Sequence, residues 1–188
     1  MIDLNKFQRI TQRIRVPLGF VFFIFYIIFA RPTWRSLVFG GIIAAIGIAI
    51  RAWASGHLRK NESLATGGPY AYTRNPLYLG TTLIGVGFSI CSGNVWLVIG
   101  ATAFFLLIYV PVMLTERFVI LKLFPDEYPD YAKQVPMLLP RLTPYRAGRE
   151  KQRFDRKLYL RYREYRAALG FLGAMVLLIV KMIYLSHS

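Results

Sequence analysis

Residues 68–80 read Gly68-Pro69-Tyr70-Ala71-Tyr72-Thr73-Arg74-Asn75-Pro76-Leu77-Tyr78-Leu79-Gly80, a polar, aromatic and stiff run between two long apolar stretches. Pro69 and Pro76 fix φ, and Gly68 and Gly80 permit close backbone approach. Three tyrosines, Tyr70, Tyr72 and Tyr78, flank Arg74. A plain connector needs only a few polar residues. This run has the make-up of a surface that grips something beside a membrane.

Outward from it, the chain is organised by apolar runs. Of its 188 residues, 55% are hydrophobic, above the roughly 45–50% of soluble domains. They concentrate in Val16–Ala30, Leu37–Ala54, Leu77–Cys91, Val95–Leu114 and Ala167–Leu185. A spanning helix needs about 20 apolar residues, with ~17 as the lower limit. The second, fourth and fifth runs meet that directly; the first and third borrow flanking residues or lie in a thinned bilayer. The expectation is an all-α integral membrane protein with five transmembrane helices, forming one domain over residues 1–188. Within it, residues 1–15 form a basic amphipathic surface segment with Leu4, Phe7, Ile10 and Ile14 at helical spacing. Residues 16–114 hold four helices, 115–166 a cytoplasmic segment, and 167–185 the fifth helix. The first apolar run ends in Ala30-Arg31-Pro32-Thr33 without a small-x-small cleavage pattern, so it reads as a retained helix rather than a signal peptide. The glycines and alanines of the second run (Gly40, Gly41, Ala44, Ala45, Gly47) suit close packing on a neighbour. Pro111 predicts a kink in the fourth helix. The tyrosine-interleaved basic stretch 146–166 predicts a surface helix leading into the last span.

The net charge of +15 invites a nucleic-acid reading, but placement argues for topology. With five spans, twenty of the twenty-four basic residues fall on one side, thirteen of them in residues 116–166. The opposite loops hold only Arg31 and Arg35. The positive-inside rule then puts the N-terminus in the cytoplasm and the C-terminus outside, and the basic face is suited to anionic lipid headgroups. Cys91 stands alone, and His57 and His187 lie far apart, so neither a disulfide framework nor a metal-ligand spacing is present. P-loop, dinucleotide-binding and nucleophile-elbow motifs are absent from the sequence.

Three elements should meet on the cytoplasmic face: residues 68–80, Glu116-Arg117, and the Tyr128–Pro140 stretch. Glu116 reads as the only carboxylate within or adjoining a spanning segment. Ionisable groups at such depth are paired or line a wet cavity, and aromatic rings can stack on a flat heterocycle or hold a cation. Singly, tyrosines and arginines at a membrane interface are more often anchors than ligands.

Their order is more specific. Gly-Pro-Tyr, Arg-Asn-Pro-Leu-Tyr-Leu-Gly, a spanning hairpin, Glu116, then Phe124-x-x-x-Tyr128-x-x-Tyr131 and a proline resembles the isoprenylcysteine carboxyl methyltransferases and the related phospholipid N-methyltransferases, over about residues 40–140. The family usually has Arg-His-Pro where this chain has Arg74-Asn75-Pro76, paired glutamates in place of Glu116-Arg117, and Phe-Gly in place of Phe124-Pro125. The resemblance implies an integral membrane enzyme using S-adenosylmethionine in a pocket open to the cytosol. It implies that Gly68, Pro69, Tyr70, Arg74, Asn75, Pro76, Tyr78 and Gly80 form much of the cofactor pocket, which Glu116, Tyr128 and Tyr131 close. It further implies a lipid or lipidated substrate. A carboxylate acceptor would be oriented by Arg117 or Arg51; an amine would need Glu116 as base. Two other readings compete. One is a non-enzymatic membrane protein binding anionic lipid through its basic segment. The other is a membrane reductase using NADPH, since sterol reductases look similar in their last helices.

Overall fold

The computed structural model describes residues 17, 19, 21–146 and 153–187, and all regular structure among them is helical. The elements are α1 (helical over 21–29), α2 (Trp34–Ser55), one 3₁₀ turn η1 (Gly68–Ala71), α3 (Pro76–Cys91), α4 (Val95–Leu123), α5 (Tyr128–Gln134), α6 (Arg156–Arg161) and α7 (Tyr165–His187). The basic segment 1–15 lies outside the described residues, as does part of the expected first span.

Among the described residues, three helices, α2, α4 and α7, are long and apolar enough to cross a membrane, where the sequence predicted five spans. The difference at α3 is one of length. It is apolar but has 16 residues, about 24 Å at 1.5 Å per residue against a hydrocarbon core of ~30 Å. Helix α4 continues through Pro111 to Leu123. The expected basic helix over 146–166 is shorter than predicted: among the described residues it is confined to α6. The chain then turns through Arg163 at φ 55° before α7 begins.

Helices α2 and α3 pack antiparallel through glycines placed two turns apart on each. A Cβ on Gly40 would stand 2.3 Å from the Gly87 carbonyl oxygen, and one on Gly47 would stand 2.6 Å from that of Gly80. Without side chains at these positions the backbones come into direct contact, which is how small residues hold helices together in lipid. Gly41 faces elsewhere, towards Met175 of α7. A core of Tyr26, Ala30, Leu37, Cys91, Leu97 and Leu178 then joins α1, α2, α3, α4 and α7.

The bundle has two polar ends. At one, Thr33 and Asn94 cap α2 and α4, and the Arg31 N–H donates to the Ser92 carbonyl at 2.7 Å. At the other, the C-terminal ends of α2 and α4 and the N-terminal ends of α3 and α7 come together with η1, α5 and α6. That second end carries the site.

Candidate functional site

The 68–75 run is shaped before it is functional. Gly68 has φ +56°, and a Cβ there would stand 2.6 Å from the His57 ring, so both conformation and space call for glycine. His57 is buried and bonds the Trp53 carbonyl through Nδ1 at 2.9 Å. Pro76 opens α3 at the first helical position, where its missing N–H costs nothing. Beyond α5, the proline-broken stretch 136–145 cannot form a helix and lies back along this run instead. Arg74 N–H donates to the Pro136 carbonyl at 2.9 Å, Arg141 N–H to that of Tyr72 at 3.0 Å, and Tyr145 N–H to that of Ala71 at 2.8 Å. Thr73 Oγ1 and Asn75 Nδ2 each donate to the Met137 carbonyl, at 3.2 and 2.9 Å. Asn75 is thereby a clasp on this strap, a job suited to an amide that does not titrate.

Beneath lies a cavity of about 790 Å³. Its walls are the α2 end (Arg51), the 58–65 loop, Tyr70, Arg74 and Asn75, the first turns of α3 (Leu77, Tyr78, Thr81), one side of α4, and Tyr128 and Tyr131 of α5. From α4 come Tyr109, Met113, Glu116, Ile120 and Leu123, residues at alternating steps of four and three that form one helical stripe. The stripe is apolar except where Glu116 and the Tyr109 hydroxyl interrupt it.

The polar centre is set by four side chains. Glu116 Oε1 accepts from the Tyr78 hydroxyl at 2.8 Å, across from α3 to α4. Arg74 donates through Nη1 to the Tyr128 hydroxyl at 3.2 Å, while its buried Nε has no hydrogen-bond partner among the described residues. Arg117, on the exposed side of α4, stands over the Phe118 ring at 5.5 Å, and among the described residues it makes no ion pair with Glu116. Arg51 is occupied. Its Nε and Nη2 bond Glu164 Oε2 and Oε1 at 3.0 and 2.8 Å, and Nη1 donates to Thr81 Oγ1 at 2.6 Å. The guanidinium of Arg51, at the cavity wall, is thus held between Glu164 and Thr81. The reading of Glu116 as the only carboxylate within or adjoining a spanning segment is corrected, because Glu164 is held at the head of α7.

Tyr131 donates its hydroxyl to the Tyr70 carbonyl at 2.8 Å. Burial pushes both phenols above the ordinary tyrosine value, with neighbouring phenols adding to the effect. Because the folded values are raised, the stability these groups contribute is complete below about pH 10. It is lost as pH rises and the unfolded chain ionises first. Thermal melting followed from about pH 8 to about pH 11 should show a fall above pH ~10, and a shallower one in Tyr131→Phe. An equal slope in that variant would remove Tyr131 as a source.

Of the residues picked from sequence, Tyr70, Arg74, Asn75, Tyr78, Glu116, Arg117, Arg51, Tyr128 and Tyr131 line the cavity. Gly68, Pro69, Pro76 and Gly80 do not; they shape the turn and the α2–α3 contact behind it. Sequence reasoning missed Tyr109, Met113, Ile120 and Leu123, which were legible by stepping along the helix from Glu116. It also missed Glu164, for which no local signal exists. Among the described residues, no three His, Cys, Asp or Glu side chains come together to hold a metal ion.

The profile of the phospholipid methyltransferase family matches residues 18–127, more than half of the chain. The chain belongs to this family. The match to the phospholipid methyltransferases takes in the 68–80 run, α3 and α4 with Glu116, and stops just before Tyr128. Among relatives, the cobalt-zinc-cadmium resistance protein CzcN of Cupriavidus metallidurans is 32% identical over 119 residues, 61% of this chain and 55% of that protein. The nickel-cobalt-cadmium resistance protein NccN of Alcaligenes xylosoxydans xylosoxydans is 31% identical over 120 residues, 61% and 56% respectively. The chain thus spans about half the length of each relative. No solved structure matches it.

Proposed function

We propose that this chain is a membrane methyltransferase that uses S-adenosylmethionine to methylate a lipid or lipidated acceptor at the cytoplasmic face. The observation that carries the reading is Arg74, whose buried Nε–H lacks a partner at the wall of the cavity that also holds Glu116. A buried donor left unpaired costs about 1–3 kcal/mol, so a ligand carboxylate beside Arg74 is favoured. The amino-acid end of S-adenosylmethionine has that carboxylate. Glu116 suits its ammonium or ribose hydroxyls, and the rings of Tyr70, Tyr78, Tyr128 and Tyr131 suit adenine or sulfonium. A cavity of about 790 Å³ lies within the roughly 300–1,000 Å³ of small-molecule sites.

Bound there, S-adenosylmethionine would supply an activated methyl group on sulfur. The residues of this chain have to hold donor and acceptor in line and exclude water, and such positioning is worth about 7–11 kcal/mol. For an oxyanion acceptor no proton has to leave. For an amine, Glu116, already accepting from Tyr78, is the base within reach. The apolar stripe of α4 offers a surface for an acyl or prenyl chain. Arg59, Lys60, Arg74, Arg117 and Arg141 all lie at this end, which supports a cytoplasmic orientation.

Calorimetry of S-adenosylhomocysteine binding to the detergent-purified full chain tests the reading. Binding is expected in the wild type, weakened about tenfold in Glu116→Gln, which keeps the acceptor for Tyr78 but loses the charge. Absence of binding in the wild type would sink it.

A further inference from the structure

The carboxylate of Glu164 lies outside the segment matched to the family, is 113 residues from Arg51 in sequence, and is nevertheless joined to it by two hydrogen bonds. We infer that Glu164 is a positioning residue of the site: it neutralises Arg51 so that the cavity can accept a sulfonium-bearing donor. This rests on the S-adenosylmethionine reading above.

The geometry begins with the break between α6 and α7. Arg163 adopts φ 55°, a left-handed conformation, and this turns the chain sharply just before α7. The same segment is tied to the end of α2 at two further points. Asp155 N–H donates to the Gly56 carbonyl at 2.8 Å, and the Phe154 ring packs edge-on against His57 at 6.0 Å. Glu164 is thus delivered to Arg51 by a docked segment, and its side chain is only 12% exposed.

Charge then decides the consequence. Arg51, Arg59, Lys60, Arg74 and Arg117 line the cavity, and among the described residues Glu116 is the one carboxylate in its wall, so the cavity is already rich in positive charge. Glu164 sits behind Arg51 and cancels its charge without occupying the cavity. Without it, Arg51 would present an unpaired cation at a partly desolvated wall, where like charges repel far more than in water. The two forms of the cofactor report this directly. S-adenosylmethionine and S-adenosylhomocysteine share carboxylate, ammonium and adenosine; they differ in the methyl group and the positive charge on sulfur. Their ratio of affinities therefore reads the cavity's charge, while loss of shape or stability weakens both.

The experiment is calorimetry with each compound on the full chain, with thermal melting alongside. Glu164→Gln should weaken S-adenosylmethionine about tenfold and S-adenosylhomocysteine less than about twofold. Glu164→Asp should keep the wild-type ratio. The double variant Arg51→Gln/Glu164→Gln, balanced again, should restore it even if its melting temperature stays low. Should Glu164→Gln not fold, Arg51→Gln carries the test: its uncompensated carboxylate should shift the ratio towards S-adenosylmethionine. Equal weakening of both compounds in Glu164→Gln, or a ratio unmoved in Arg51→Gln, would leave Glu164 a purely structural tether and overturn the inference. A wild type that binds neither compound overturns the cofactor reading, and this inference with it.

Discussion

Gly87→Leu is expected to abolish the folded bundle. A Cβ at Gly87 would lie 2.6 Å from the Ala44 nitrogen and 2.6 Å from the Gly40 carbonyl oxygen. Overpacking a core usually costs about 1–3 kcal/mol because neighbouring side chains give way. Here the nearest obstacles are the backbone of α2, which can yield only if the two helices separate. That separation would also draw Arg51 on α2 away from Thr81 and Leu77 on α3. Gly85→Leu on the same helix is the control, since among the described residues no atom beyond its own stretch of helix lies within 4 Å of its Cβ position; it should be tolerated. Size-exclusion profiles and melting in detergent compare the two. A monodisperse Gly87→Leu protein melting like the wild type would refute this account of the α2–α3 contact.

Arg74→Ala should lower S-adenosylhomocysteine affinity by about 10- to 100-fold, as expected from losing charge-assisted hydrogen bonds of ~1.5–3 kcal/mol. Arg74 combines a bond to Tyr128 with a buried Nε–H lacking a partner. In the unliganded protein that orphan is a cost, so its removal should reduce melting temperature little. Binding should fall far more than stability, and that imbalance separates a ligand contact from a structural one. Arg74→Lys should recover only part of the affinity, because an ammonium cannot reproduce the planar fork. Unchanged affinity in Arg74→Ala would assign the orphaned Nε–H no role in binding.

Much of the architecture was legible from local pattern. The apolar runs predicted helices where α2, α3, α4 and α7 lie, because helix formation in an apolar environment depends on residues close in sequence. In the structure Pro76 and Asn94 stand at the starts of α3 and α4. The number of spans was less legible: α3 is apolar throughout, but its length is set by where Pro76 and the Ser92 turn stop it. The basic stretch 146–166 misled because charge periodicity does not reveal the break at Arg163.

The candidate site divides along the same line. The sequence by itself determined that Tyr70, Arg74, Asn75 and Tyr78 stand together, since they share one short run, and that Glu116 lies towards the end of the fourth helix. Only the tertiary structure decided what each side chain does. It set Asn75 on the Met137 carbonyl as a clasp, left the Nε–H of Arg74 without a partner among the described residues, and paired Arg51 with Glu164. These outcomes depend on which distant groups arrive at hydrogen-bonding distance, 62 residues on for Asn75 and 113 for Arg51. Such encounters are fixed by how glycine-lined helices pack and where the strap falls, and residue spacing along the chain does not encode them.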